Sequence, residues 1–289
     1  MHLLITFVCA VVGAWFLVGG LASFIAPSAA APSMGSSAVL GGVLLAIAFM
    51  MWRGRKHMAA VAKHMAAVAA GRRNWAVRNA DVVERLPDIE GFRRAAQSLA
   101  ALDALLTADW QHRFYSFDAS WSGEHQLASM RNGCGDQWFA RIGADGIVVH
   151  GLLHESPDFV AGKPKPWVFG ELPRELGASF LTEPAFDTSN STFCLWRAAA
   201  DTRWSRGPVP AAARDDGSHE LLEMLWAGAA GYLADASDGS EEQLQLADIE
   251  AFFRHEPVTL ERARRMNPDV DFAALQEELA KIGYPSGRA

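Results

Sequence analysis

Residues 114–152 read FYSFDASWSGEHQLASMRNGCGDQWFARIGADGIVVHGL, and their reading decides the fold class. Four short runs, Phe114–Ser120, Gln126–Arg131, Gln137–Ile142 and Gly146–Leu152, are separated by Gly, Asp and Ser, the residues that turns favour. Ala144-Asp145-Gly146 sits between the last two as a hairpin signal. The stretch therefore predicts an antiparallel sheet. A further strand is expected at Thr192–Ala198, where Phe193 and Leu195 alternate with Thr192, Cys194 and Trp196, and Arg203–Ser205 is its expected return.

Helical patterns lie on both sides of these strands. A helix is expected over Asn74–Leu86, stopped by Pro87, with Asp88 capping a second that runs to Leu106 and buries Leu99, Leu102 and Leu106. Another is expected at Pro173–Leu181, between the two strand sets. Beyond the strands, Asp216-Gly217-Ser218 precedes a helix at Leu221–Ala236, and Ser240 with Gln243 makes a capping box for one reaching His255. Thr259 opens a short helix. Phe272, Leu275, Leu279 and Ile282 stripe the last one, which ends near Gly283. Strands gathered between helices predict an α+β domain over residues 93–289.

Charge is distributed very unevenly over the 289 residues. The net value of −7 comes from 26 Lys+Arg and 33 Asp+Glu, yet residues 1–52 contain none of these four types. Residues 53–80 then carry seven cations and no carboxylate, and residues 81–289 carry 19 cations against 33 carboxylates. Such a pattern excludes a disordered chain, a collagen-like repeat and a disulfide-stapled module. Cys9, Cys134 and Cys194 imply no disulfide framework.

The uncharged part predicts a transmembrane helical hairpin over residues 1–52. As a helix, the run at 3–26 would reach about 36 Å and the run at 34–52 about 28 Å, against a hydrocarbon core of roughly 30 Å. The cations all follow Trp52, which predicts both termini on the cytoplasmic side of a bacterial inner membrane. A cleaved signal peptide is the weaker reading, because Met1-His2 lacks the expected positive charge.

Residues 53–92 read as a basic juxtamembrane helix and helical linker. Lys-His-Met-Ala-Ala-Val-Ala occurs twice in tandem at 56–69, aligning Met58, Val61, Met65 and Val68 on one seam. That seam is a candidate homodimer contact. The plainer reading is a helix whose cations at 53–78 sit among anionic lipid head groups.

The common catalytic signatures are absent, including phosphate-binding glycine loops, Gly-x-Ser-x-Gly and His-Glu-x-x-His. No cofactor is implied. Cys134, between two glycines, is a candidate nucleophile if His150 or His154 serves as its base, and the alternative is a tight turn holding a small hydrophobe. His150, His154 and Glu155 with Cys134 and Cys194 have metal-ligand residue types, but a strand does not provide the helical i, i+4 alignment, so no metal site is expected. Glu155 and Glu183 are a conceivable acid–base pair whose separation the sequence leaves open.

Binding offers a second set of candidates. Trp121, Trp196 and Arg197 are of the types found at protein-binding hot spots, and Arg131, Asn132, Asp136, His154, Glu155, Glu183 and Asp216 accompany them as partner-binding residues. The carboxylate excess disfavours nucleic acid and favours a basic protein partner.

Several motifs also carry a resemblance. Gln97–Trp110, Arg113–Phe117, Ser129–Asp136, His154-Glu155-Ser156, Glu183–Phe186, Thr192–Arg197, Asp216-Gly217-Ser218 and Ile282–Pro285 look like a bacterial family of uncharacterised soluble proteins resembling toxin-immunity proteins. The resemblance covers about residues 93–285 and leaves out the hairpin. It implies a binding protein that neutralises a bacterial antagonistic toxin and transfers no catalytic residue; with the hairpin read above, the expectation is a membrane-anchored cytosolic one. A membrane-tethered cysteine-dependent hydrolase or transferase and a membrane scaffold are the alternatives.

Overall fold

The computed structural model describes residues 75–237 and 244–287. Within them α1 (Trp75–Arg85) and α2 (Ile89–Leu106) precede six strands: β1 (Tyr115–Ser122), β2 (His125–Arg131), β3 (Gln137–Gly143), β4 (Gly146–Leu152), β5 (Phe193–Ala198) and β6 (Ser205–Arg206). Helix α3 (Arg174–Phe180) lies in the β4–β5 connection. After β6 come α4 (Ser218–Leu222), α5 (Met224–Ser237), α6 (Leu246–Phe253), α7 (Leu260–Met266) and α8 (Phe272–Ile282). The strands pair in sequential order and every pair is antiparallel, so the expected α+β class with a central antiparallel sheet flanked by helices is present.

Local chemistry sets most of the boundaries. Asp88 caps α2 by accepting from Gly91 N at 2.7 Å, directly after Pro87 has ended α1. Thr259 and Asp271 do the same for α7 and α8, and Gly283 closes α8 at φ 71°, a conformation that costs glycine little.

Period-two alternation gives the sheet two different buried faces. Phe117, Met130, Trp138, Ile142, Val149 and Phe193 join the main core with Leu99 and Leu102 of α2, Phe252 of α6 and Leu279 of α8. Val82 of α1, Leu86 just after it and Phe92 of α2 belong to the same core, so folded structure reaches back before residue 93. The opposite face carries Phe139, Val148, Cys194 and Trp196, and the β4–β5 connection covers it with Val168, Leu176, Phe180 and Phe186. Both faces of the central strands are thus dry. A polar-out pattern is therefore missing from β4, which is buried at all but its last residue.

Two positions show how tightly the central strands fit. Gly151 lies across from Trp138 on one side and Phe193 on the other, and a Cβ there would come within 2.4 Å of the Phe193 ring. Arg141 is 1% exposed and its charge is met by Asp145 at 2.8 Å, across the hairpin turn.

Several expected elements need correction. The single helix expected at 221–236 is two helices, and α5 is itself broken at Gly228, whose φ of 62° and ψ of −155° only glycine adopts readily. The return strand is Ser205–Arg206 rather than 203–205. The helix expected from Ser240 begins at Leu246 behind Gln245, while the Ser240–Gln243 capping box lies outside the described residues.

The hairpin expected at 1–52, and the seam of Met58, Val61, Met65 and Val68, also lie outside the described residues. Among the described residues no helix is long and apolar enough to cross a membrane.

Candidate functional site

The β2–β3 turn and the end of β4 together build a polar corner. Asn132 organises the turn: its Oδ1 accepts from Cys134 N at 2.8 Å and Asp136 N at 3.1 Å, an Asx-type arrangement. Gly133 and Gly135 adopt φ of 72° and 113°. Gly135 is constrained doubly, since a Cβ there would stand 3.1 Å from Cγ of His154.

Asp136 is the hub of this corner and is only 6% exposed. Its Oδ2 accepts from the Asn132 amide at 2.6 Å, and its Oδ1 accepts from both the backbone N–H and the Nδ1–H of His154, at 2.9 and 2.7 Å. With Nδ1 engaged, Nε2 of the half-buried His154 is the nitrogen directed away, 3.8 Å from Glu155. Arg131 places its guanidinium 5.0 Å from the Phe139 ring centre, a cation–π contact at the edge of the same corner. Four sequence-predicted residues, Asn132, Asp136, His154 and Glu155, therefore converge, with Arg131 next to them in the chain.

An acid holding a histidine beside a cysteine has the parts of a nucleophilic site, but two features oppose that chemistry. No hydrogen bond among the described residues joins the Cys134 thiol to His150 or His154. Partial burial, followed by the Asp136 carboxylate, pushes the Cys134 thiol up, which lowers its thiolate fraction at neutral pH. Iodoacetamide is accordingly expected to alkylate Cys134 more slowly than a free cysteine at pH 7.5. Rapid labelling with a midpoint below pH 7 would restore the enzyme reading.

His150 is elsewhere in every useful sense. It lies in the second core, in the row Phe139–His150–Cys194 across β3, β4 and β5, with ring centres of Phe139 and Phe180 at 5.7 and 5.2 Å. Its Nδ1 meets the Ser191 hydroxyl at 2.7 Å, and its buried Nε2 has no partner among the described residues. Burial lowers its pKa to about 3, so it stays neutral and is a poor base. Cys194 beside it is fully buried, and desolvation raises its thiol well above the usual range.

The other candidates are dispersed. Trp121 stacks on Phe186 at 5.3 Å, and Glu183 caps the turn at Pro184–Phe186 through Ala185 N. Trp196 is in the second core, Arg197 donates to the Asp201 carbonyl, and Asp216 pairs with Arg206 and caps Ser218. Among the described residues no group of three His, Cys, Asp or Glu side chains could hold a metal ion. Sequence reading missed Ser191 as the partner of His150, because 41 residues separate them and no motif links them.

No protein-family model matches the chain, nor does any curated protein or solved structure.

Proposed function

We propose that this protein is a membrane-anchored binding protein whose acidic domain captures and neutralises a basic protein partner, a toxin of bacterial antagonism. The observation that carries the reading is electrostatic. Many of the cations of the folded domain are engaged internally, as in Arg113–Glu278, Arg141–Asp145, Arg206–Asp216, Arg262–Glu256 and Arg265–Asp248. Exposed carboxylates such as Glu84, Asp109, Glu124, Glu171, Glu175 and Asp187 remain in excess on the surface. A surface of this sign steers a basic protein toward it and repels nucleic acid.

The rigid corner of Asn132, Asp136, His154 and Glu155 supports the same reading, since its turn is held by internal hydrogen bonds before any partner arrives. Anchoring rests on the uncharged runs at 3–26 and 34–52 and would hold the domain at the cytoplasmic face of the inner membrane. Co-expression with the product of the neighbouring gene is the test. Relief of toxicity, with a complex that pull-down recovers at low salt and loses at high salt, is expected; neither relief nor complex overturns the proposal.

A further inference from the structure

The edge of the sheet holds a cleft away from the polar corner, and of the motifs above only Thr192–Arg197 reaches it, through Trp196. It is open, has a volume of about 480 Å³, and lies where the main core and the second core meet at β6. Trp196 and Trp204 line it with Val83 of α1 and Val209, while Glu171, Ser205 and Arg206 contribute the polar groups. The volume is that of a site for one large side chain and its flanking backbone.

The charges in the cleft do not balance. Arg206 is committed elsewhere: its guanidinium donates to the Asp216 carboxylate, the Ser218 hydroxyl and the Asn79 carbonyl. Glu171 is exposed, and among the described residues its carboxylate has no ion-pair or hydrogen-bond partner. Its backbone is also held at φ 67°, in the left-handed region that disfavours a residue with a side chain. Trp204 is fixed by donating from Nε1 to the Pro87 carbonyl at 2.6 Å and by packing on Phe92, so this wall is rigid. Trp196 and Trp204 are each only 4% exposed and form the floor of the cleft rather than a stacking face, so the free carboxylate is the group that suits a guanidinium, through a bidentate pair.

Backbone groups add to the side-chain chemistry. β6 ends the sheet order, so among the described residues Ser205 and Arg206 have no strand on their outer side, and both line the cleft. An edge of this kind can accept an extended segment by strand addition. We propose that this cleft is the anchor point for an arginine-bearing extended segment of the basic partner, with Glu171 as the residue that reads its guanidinium. The inference rests on the binding-protein reading and specifies which surface does the reading.

The test uses the full-length chain labelled with 5-fluorotryptophan, and the variants Trp196→Phe and Trp204→Phe assign the two resonances of the cleft. Acetyl-Gly-Arg-Gly-Arg-Gly-amide is titrated in, with the glutamate counterpart as control. The arginine peptide is expected to move both resonances and the glutamate peptide neither. Glu171→Gln should weaken the arginine peptide about 5-fold or more. Glu171→Gly should weaken it similarly while raising Tm by roughly 2–4 °C, because glycine relieves the positive φ. Equal binding to wild type and Glu171→Gln, or no shift of the two resonances, overturns the cleft as the reading site, whatever pull-down of the natural partner shows. Failure of that pull-down with the peptide result intact removes the neutralisation reading and leaves the cleft standing.

Discussion

Asp103→Ala is expected to destabilise the domain by about 3–5 kcal/mol, which is close to the whole stability of many domains of this size. Asp103 is 5% exposed on α2, and its Oδ2 accepts from the backbone N–H of Phe114 at 2.7 Å and of Tyr115 at 2.8 Å. It also hydrogen-bonds the fully buried phenol of Tyr232 on α5. One carboxylate therefore ties the start of β1 to two helices. Removing it leaves two part-buried N–H groups and a buried phenol without this acceptor, and each such orphan costs about 1–3 kcal/mol. Urea unfolding should show a much lower midpoint at unchanged slope. Tyr232→Phe removes only one donor and should cost about 1 kcal/mol. A loss for Asp103→Ala no larger than that of Tyr232→Phe would show that the backbone pair contributes nothing.

Stability is also expected to fall on mild acidification through His150. Burial lowers its pKa from 6.5 in the unfolded chain to about 3 in the fold. A base whose folded pKa is depressed binds fewer protons folded than unfolded, so its contribution is complete above pH 6.5 and drains away as pH falls toward 3. Between pH 7 and 4.5 the loss is about 3 kcal/mol. His219 and His255 are lowered by burial as well and add to the slope in the same window. Below pH 4.5 Asp248, Glu256 and Glu278, held down first by their hydrogen bonds to Arg265, Arg254 and Lys281, begin to contribute too. The comparison with His150→Phe isolates the group. That variant keeps an aromatic ring among Phe139, Phe180 and Phe186 and should lose about 3 kcal/mol less than wild type from pH 7 to 4.5. Parallel pH profiles would show that His150 does not titrate within the fold.

The fold was readable wherever its cause is local. Strand boundaries in 114–152 follow from turn residues, and Asp88, Thr259 and Gly283 mark helix ends because a cap acts over three or four residues. The helix over 221–236 was misread because its pattern is continuously apolar and Gly228 looks tolerable within a helix. Only packing decides that its backbone turns there. Asn132, Asp136 and their glycines were legible as one turn, since Asx geometry is set by neighbours in sequence. Cys134, His150 and His154 were not sortable, because the choice among them depends on how the β2–β3 turn meets the end of β4 and on which face of β4 His150 occupies.

Sequence alone determined the class of the domain, the sign of its surface and the length of its uncharged N-terminal runs, because propensity, capping and composition act within a few residues. Tertiary structure decided the partners. It turned His150 into an aromatic core, handed His154 to Asp136 rather than to the thiol, and left Glu171 beside Trp196 and Trp204 at the edge of the sheet. Burial and long-range contact set those outcomes, and both depend on residues far apart in the chain: Asp136 and His154 are 18 positions apart, and Pro87 and Trp204 are 117.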